Sequence, residues 1–122
     1  LLNNYGAAFM RASQYFRSEN DYGKSIKYME KAIKFIDDKK RFYPSISQLS
    51  VEAAFNLIEK NAIDEAFAYL DNAIYYNRTD QSLIKYIFQA GKVANAPDKA
   101  VELLKKLQNY QDDKRIPKYI EV

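Results

Sequence analysis

An asparagine-led pattern occurs three times in this chain of 122 residues, and it restricts the fold more than any other feature. Asn61-Ala62-Ile63-Asp64-Glu65-Ala66 recurs as Asn95-Ala96-Pro97-Asp98-Lys99-Ala100 and is preceded by Asn20-Asp21-Tyr22-Gly23-Lys24-Ser25. Ala66 to Ala100 and Leu70 to Leu104 are each 34 residues apart, a period that belongs to repeat arrays rather than to a single non-repeating core. Asn20 to Asn61 is 41 residues, and the surplus of seven falls in the connection around Asp37 to Pro44. The spacing therefore predicts an all-α chain of helical hairpins.

Taken in order, the chain reads as about six helices and a tail, in units of about 5–38, 45–77 and 80–109 with a tail over 110–122, all within one domain. Asn3 or Asn4 is a candidate N-cap for a first helix whose inward face is Tyr5, Phe9, Ala12, Ser13 and Phe16. After Asn20-Asp21, a second helix carries Tyr22, Ile26, Met29, Ala32, Ile33 and Ile36, and so short a connection forces the two to pack antiparallel. Ser13, Ser25 and Ala32 are small where two backbones must approach closely. The charged run Asp37 to Arg41 is expected to extend the second helix or to form a solvated loop.

Ser45 and Gln48 have the spacing of a capping box opening a third helix to about Lys60. Its core face is Ile46, Leu49, Ala53 and Leu57, while Val51, Phe55 and Ile58 form a second stripe, so this helix is expected to be the most buried. A fourth helix follows through Ala66, Phe67, Leu70, Ala73 and Ile74. Asp80 is then a candidate N-cap for a fifth built on Leu83, Ile84, Ile87 and Phe88. Pro97 fits the first position of a sixth, where its missing N–H costs nothing. Pro117 argues against a further helix, leaving Ile116, Tyr119, Ile120 and Val122 to fold back over the last hairpin.

Composition excludes much chemistry. The chain has no cysteine and no histidine, so disulfides, thiolate nucleophiles and the commonest general base and zinc ligand are all missing. The glycines are scattered and form no phosphate-cradling loop. The carboxylates Glu52, Glu59, Asp64, Glu65 and Asp71 have the spacing of solvated helix faces. No enzyme activity and no cofactor or metal is expected. The net charge of +3 signals only weak attraction to anions. No apolar run reaches the roughly 18 residues of a membrane span. The chain opens with Leu1, which suggests part of a longer protein, and its compartment stays unassigned.

These residues resemble the tetratricopeptide repeat, a helix-turn-helix unit with small residues at its crossing. The resemblance runs through Phe9, Ala12, Ser13, Phe16, Tyr22, Ser25, Met29 and Ala32, then Ala53, Ala54, Leu57, Ile63, Ala66, Leu70 and Ala73, then Ile84, Ile87, Pro97, Ala100 and Leu104. Ser50 stands where the family has a large aromatic, Phe88 and Gly91 reverse the small-then-large order, and Leu107 replaces a small residue. The resemblance implies a TPR-like α-solenoid that holds a peptide or protein segment in a concave groove lined by the first helix of each unit. A variant of the family clamps a C-terminal carboxylate with lysine, asparagine and arginine. Met10, Gln14, Glu52, Ser82 and Tyr86 stand at those positions here, so the resemblance does not extend to that activity.

The expected function is a protein-binding scaffold. Its groove candidates are Met10, Arg11, Gln14, Arg17, Val51, Glu52, Phe55, Lys85, Tyr86, Gln89 and Lys92, with an apolar floor and basic flanks suited to hydrophobic, acidic partners. An alternative is a structural or self-associating tail of a larger protein, loosely similar to the tetratricopeptide-like tails of membrane-anchored bacterial glycosyltransferases. RNA-binding helical repeats rank lower, because no series of polar readers recurs at the repeat interval.

Overall fold

The computed structural model describes residues 4–121, so the proposed cap at Asn3 and the tail residue Val122 lie outside the described residues. The chain is all-helical, and no strand occurs among the described residues. Seven α-helices follow one another: α1 (Asn4–Ser18), α2 (Tyr22–Ile33), α3 (Tyr43–Glu59), α4 (Ile63–Tyr76), α5 (Ser82–Val93), α6 (Pro97–Leu107) and α7 (Arg115–Glu121). A 3-10 turn (Lys39–Phe42) leads into α3. The sequence predicts six helices, and the seventh arises in the stretch read as tail. Pro117 is compatible with it because a proline in the first turn of a helix removes no intrahelical bond.

The recurring asparagines make the turns. Asn20, Asn61 and Asn95 have φ of 61°, 60° and 52°, the only positive values among described residues other than glycine. Asparagine adopts this left-handed conformation more readily than most residues because its short polar side chain bonds locally. In each turn the asparagine N–H donates three residues back, to Arg17 (3.0 Å), Ile58 (3.0 Å) or Lys92 (3.2 Å). The next N–H donates five residues back, from Asp21 to Phe16 (2.8 Å), Ala62 to Leu57 (2.9 Å) and Ala96 to Gly91 (2.9 Å). This double bond pattern satisfies the carbonyls orphaned at a helix end and reverses the chain at once. The partners α1 and α2, α3 and α4, and α5 and α6 pack closely as a result.

Small residues set how closely. Five positions after each asparagine stand Ser25, Ala66 and Ala100, which are 0%, 0% and 4% exposed. Ser13 and Ser25 hydrogen-bond across the first crossing, while Ala54 and Ala66 are both fully buried. At Gly91 an added Cβ would fall 2.5 Å from the Ala100 Cβ, so the third crossing closes on a glycine.

The pairs then stack in sequence: α3 lies on α2, α5 on α3 and α4, and α7 on α5 and α6. Ile26, Ile33, Ile36, Ile46, Leu49 and Ala53 form one core cluster, and a larger one runs from Val51 through Leu70, Ile84 and Leu104 to Ile116. As expected, α3 buries the most residues, from Ile46 to Ala54. Leu57, expected in the core, is only half-buried. Ser50, in the place of a large aromatic, is fully buried and accepts a hydrogen bond from Asn72 Nδ2 at 3.0 Å.

Several local expectations are corrected. The capping box of Ser45 and Gln48 does not form: α3 begins two residues earlier at Tyr43, with Pro44 in its first turn, and both polar residues are exposed. Proline's fixed φ starts the helix where a side-chain cap would otherwise do so. Asp80 is not the N-cap of α5, which is Gln81, yet its Oδ1 still accepts the Ser82 N–H at 3.0 Å. The inward stripe of the second helix outlasts the helix itself, since Ile36 is buried beyond its end at Ile33. Tyr5 is 71% exposed, and Phe9 and Phe16 are only half-buried, so the aromatic side of α1 is not core.

Replacing Asn61 with Gly should leave stability within about 0.5 kcal/mol, whereas Asn61→Ala should cost about 1 to 2 kcal/mol because a Cβ without local bonding disfavours the left-handed conformation. Urea unfolding of both variants checks this, and equal midpoints would remove the turn from its role. In the central pair, Leu70→Ala should cost about 2 to 5 kcal/mol through the cavity it leaves, and Ala66→Leu about 1 to 3 kcal/mol by overpacking. The same unfolding curves read both effects.

Candidate partner-binding groove

Because α1 rests on α2 and makes no extensive contact with α3, a furrow of about 490 Å³ opens between α1 and α3. Met10, Gln14 and Arg17 of α1 form one wall. Pro44, Ser45, Gln48 and Leu49 of α3 form the other, with Phe42 at the end of the 3-10 turn and Met29 of α2 on the floor. The seven-residue surplus in the chain is what supplies Phe42 and Pro44 to this rim.

Beside Met29 the floor carries two hydroxyls, and both are satisfied. Ser13 Oγ donates to the Ser25 carbonyl at 2.7 Å and Ser25 Oγ donates to the Ser13 carbonyl at 2.8 Å. These two hydroxyls hold α1 against α2 without leaving an unpaired group beneath the furrow. At one end Arg17 Nη2 donates to Glu52 Oε2 at 2.7 Å, a direct polar tie from α1 to α3. Both side chains keep access to solvent, so the pair adds little to stability and its charges remain available to a competing ligand.

The structure brings Met10, Gln14 and Arg17 together as the sequence predicts, and Glu52 joins them through Arg17. Arg11 is exposed next to them on α1. Val51 is corrected: at 3% exposure it belongs to the main core, because α3 is flanked on both sides and its second stripe is covered by later helices. Phe55 and Tyr86 are half-buried against the same core. Lys85 and Gln89 are exposed on α5, and Lys92 lies 5.6 Å from the Phe88 ring centroid beside a different hollow. None of these α5 residues lines the furrow. Sequence reasoning missed Met29, Phe42, Ser45 and Gln48 as lining residues. Pro44 together with the irregular first interval was the signal that could have found them.

Elsewhere, charged pairs tie the stack on its outside. Lys99 Nζ meets Asp64 Oδ1 at 2.7 Å and Lys106 meets Asp71, both between α4 and α6. The Lys99 ammonium holds the Asp64 carboxyl below its usual range, and Arg115 does the same for Asp113. Tyr76 donates its hydroxyl to Glu30 Oε2, joining α4 to α2. Burial, and after it the Glu30 carboxylate, pushes the Tyr76 hydroxyl well above the usual phenol range. Among the described residues no three carboxylates converge in the manner of a metal site. None of the described helices is long and apolar enough to cross a membrane.

Comparison with family models, with curated proteins and with solved structures returned no match.

The Tyr76 hydroxyl yields an alkaline prediction. Its folded pKa lies above the unfolded value of about 10, so its contribution is intact below that pH and is lost as pH rises toward the folded value. Tyr69 is raised in the same direction, chiefly by burial. Stability should therefore fall above about pH 10, and Tyr76→Phe should flatten that fall. Urea midpoints of both proteins at about pH 8.5 and 11 measure it, with lysine deprotonation common to the two.

Proposed function

We propose that the chain is a short tetratricopeptide-like array that binds an extended segment of a partner protein in the furrow between α1 and α3. The observation that carries this reading is the furrow itself, lined by the apolar side chains of Met10, Met29, Phe42 and Leu49 and by the polar ones of Gln14, Arg17 and Gln48. Three equivalent asparagine turns, each followed by a small residue at the crossing, support the repeat reading. Hydrophobic anchors of the partner would seat between the two helices. An acidic residue beside them would take Arg17 from Glu52, an exchange that costs little because the existing pair is solvated. Affinity then resides in the anchors, while the rim charge governs association rate and salt dependence.

The test is a photo-crosslinking residue in place of Gln14, compared with one in place of Gln89, in a lysate of the source cells. Crosslinks to a common protein from Gln14, lost on combining Met10→Ser with Arg17→Glu at an unchanged thermal midpoint, are expected. Crosslinks from Gln89 alone would move the site to α5.

A further inference from the structure

The opposite flank of the first pair carries a second surface. Six aromatic rings run in a continuous series along α1, α2 and the turn that follows α2. Tyr5 stacks on Phe35 (6.1 Å between centroids), Phe35 on Phe9 (5.9 Å), Phe9 on Tyr28 (6.2 Å), Tyr28 on Phe16 (5.4 Å), and Tyr15 meets Phe16 edge-on (5.3 Å). Lys24 lies over Phe16 at 5.2 Å, and Lys31 lies over both Phe9 and Tyr28. At 3.6 residues per turn, this ring face of α1 is rotated by about 120° from the side that lines the furrow. The two surfaces are separate.

Exposure here is unusual by the chain's own standard. Aligning Asn20 with Asn61 places Tyr5, Ala8 and Ala12 where α3 has Ile46, Leu49 and Ala53. The latter three are 0%, 2% and 2% exposed because α2 lies against them. On α1 the equivalent face is open, with Tyr5 71% exposed and Ala8 exposed as well, and the neighbouring rings of Tyr15 on α1 and Phe35 just past α2 are 58% and 37% exposed. A helix is what occupies this position elsewhere in the molecule.

Charge specifies the helix further. Residues 4 to 41 hold nine basic and five acidic side chains, and the remainder of the chain ten and eleven, so the whole positive surplus lies in this region. Lys24, Lys27 and Lys31, continued by Lys34 at the C-cap, recur at intervals of three and four, which places them along one stripe of α2, with Lys24 and Lys31 against the rings. Among the described residues, the nearest acidic partner of a ring-bound lysine is Asp21, 3.9 Å from Lys24 at the end of the series.

We infer that the ring series on the first helical pair docks an acidic amphipathic helix, whose apolar stripe covers the rings and whose flanking carboxylates pair with the α2 lysines. Lys24 and Lys31 swing from the rings to the incoming carboxylates, so that ring faces are released to apolar side chains at the moment the cations find counter-charges.

The probe is a fluorescein-labelled helical peptide of about 18 residues, long enough to span α1, with leucines at i, i+3, i+4 and i+7 flanked by glutamates. Its counterpart carries lysines instead. Fluorescence anisotropy should show the glutamate peptide binding at least about tenfold more tightly than the lysine peptide, with the preference shrinking as salt rises. Combined Lys24→Glu and Lys31→Glu should invert the preference, and combined Tyr5→Ser and Phe35→Ser should weaken both peptides. All four positions are solvent-accessible, and the circular dichroism melting curve verifies that each variant folds. Met10→Ser with Arg17→Glu should leave this binding unchanged, which separates it from the furrow. Equal affinity for the two peptides, or insensitivity to the lysine and ring variants, would overturn the inference. So would tighter, variant-sensitive binding to phosphatidylserine vesicles or to oligothymidine, or a concentration-dependent dimer abolished by the ring variants.

Discussion

A left-handed residue at the end of the first helix in each pair is the constraint on which the rest of this structure depends. With Asn20, Asn61 and Asn95 in that conformation, the two hydrogen bonds that close each turn reverse the chain within two residues. Nothing downstream then has freedom to choose its partner. The second helix must return along the first, and the residue five positions on meets the first helix at close range. Ser25, Ala66 and Ala100 are small for that reason, before any question of hydrophobicity arises.

The three crossings reach close approach by different chemistry. The first uses two serines that satisfy each other's hydroxyl groups, the second buries alanines, and the third a glycine opposite an alanine. Phe88 stands where the first pair has Ser13 and the second Ala54, so the third pair closes one turn nearer to its loop, at Gly91. This displacement has an effect on the end of the chain. Phe88 is left free to stack on Tyr119 of α7 at 4.2 Å, and Ile116 follows into full burial. The residue that departs most from the repeat pattern is also the one that receives the terminal helix.

Periodicity makes the helices, their pairing and most of the core readable, because Ile46, Leu49 and Ala53 of α3 and Ala66, Leu70, Ala73 and Ile74 of α4 recur at helical intervals and are buried at those intervals. It misplaced what depends on neighbours. Tyr5, Phe9 and Phe16 have the spacing of a core stripe, yet a terminal helix has no preceding partner among the described residues to bury them. Val51 has the spacing of a groove residue, yet a central helix is covered on both sides. Pro117 reads as a barrier in the sequence, although its cost depends on whether it falls in the first turn. The furrow is only half legible, since Met10, Gln14 and Arg17 follow from the repeat register, whereas Phe42 reaches it through an irregular connection that has no register.

The sparse contact between α1 and α3 bears on energetics as well as shape. The first helix is held to the stack almost wholly through α2, so a single interface governs its detachment, whereas each inner helix is held from several sides. A ligand spanning the furrow would join α1 to α3 directly. By mass action, occupancy would then raise the free energy of opening this edge, making the N-terminal pair stiffer when loaded than when empty. The same helix that forms one wall of the furrow thus couples its own local unfolding to the presence of whatever lies within it.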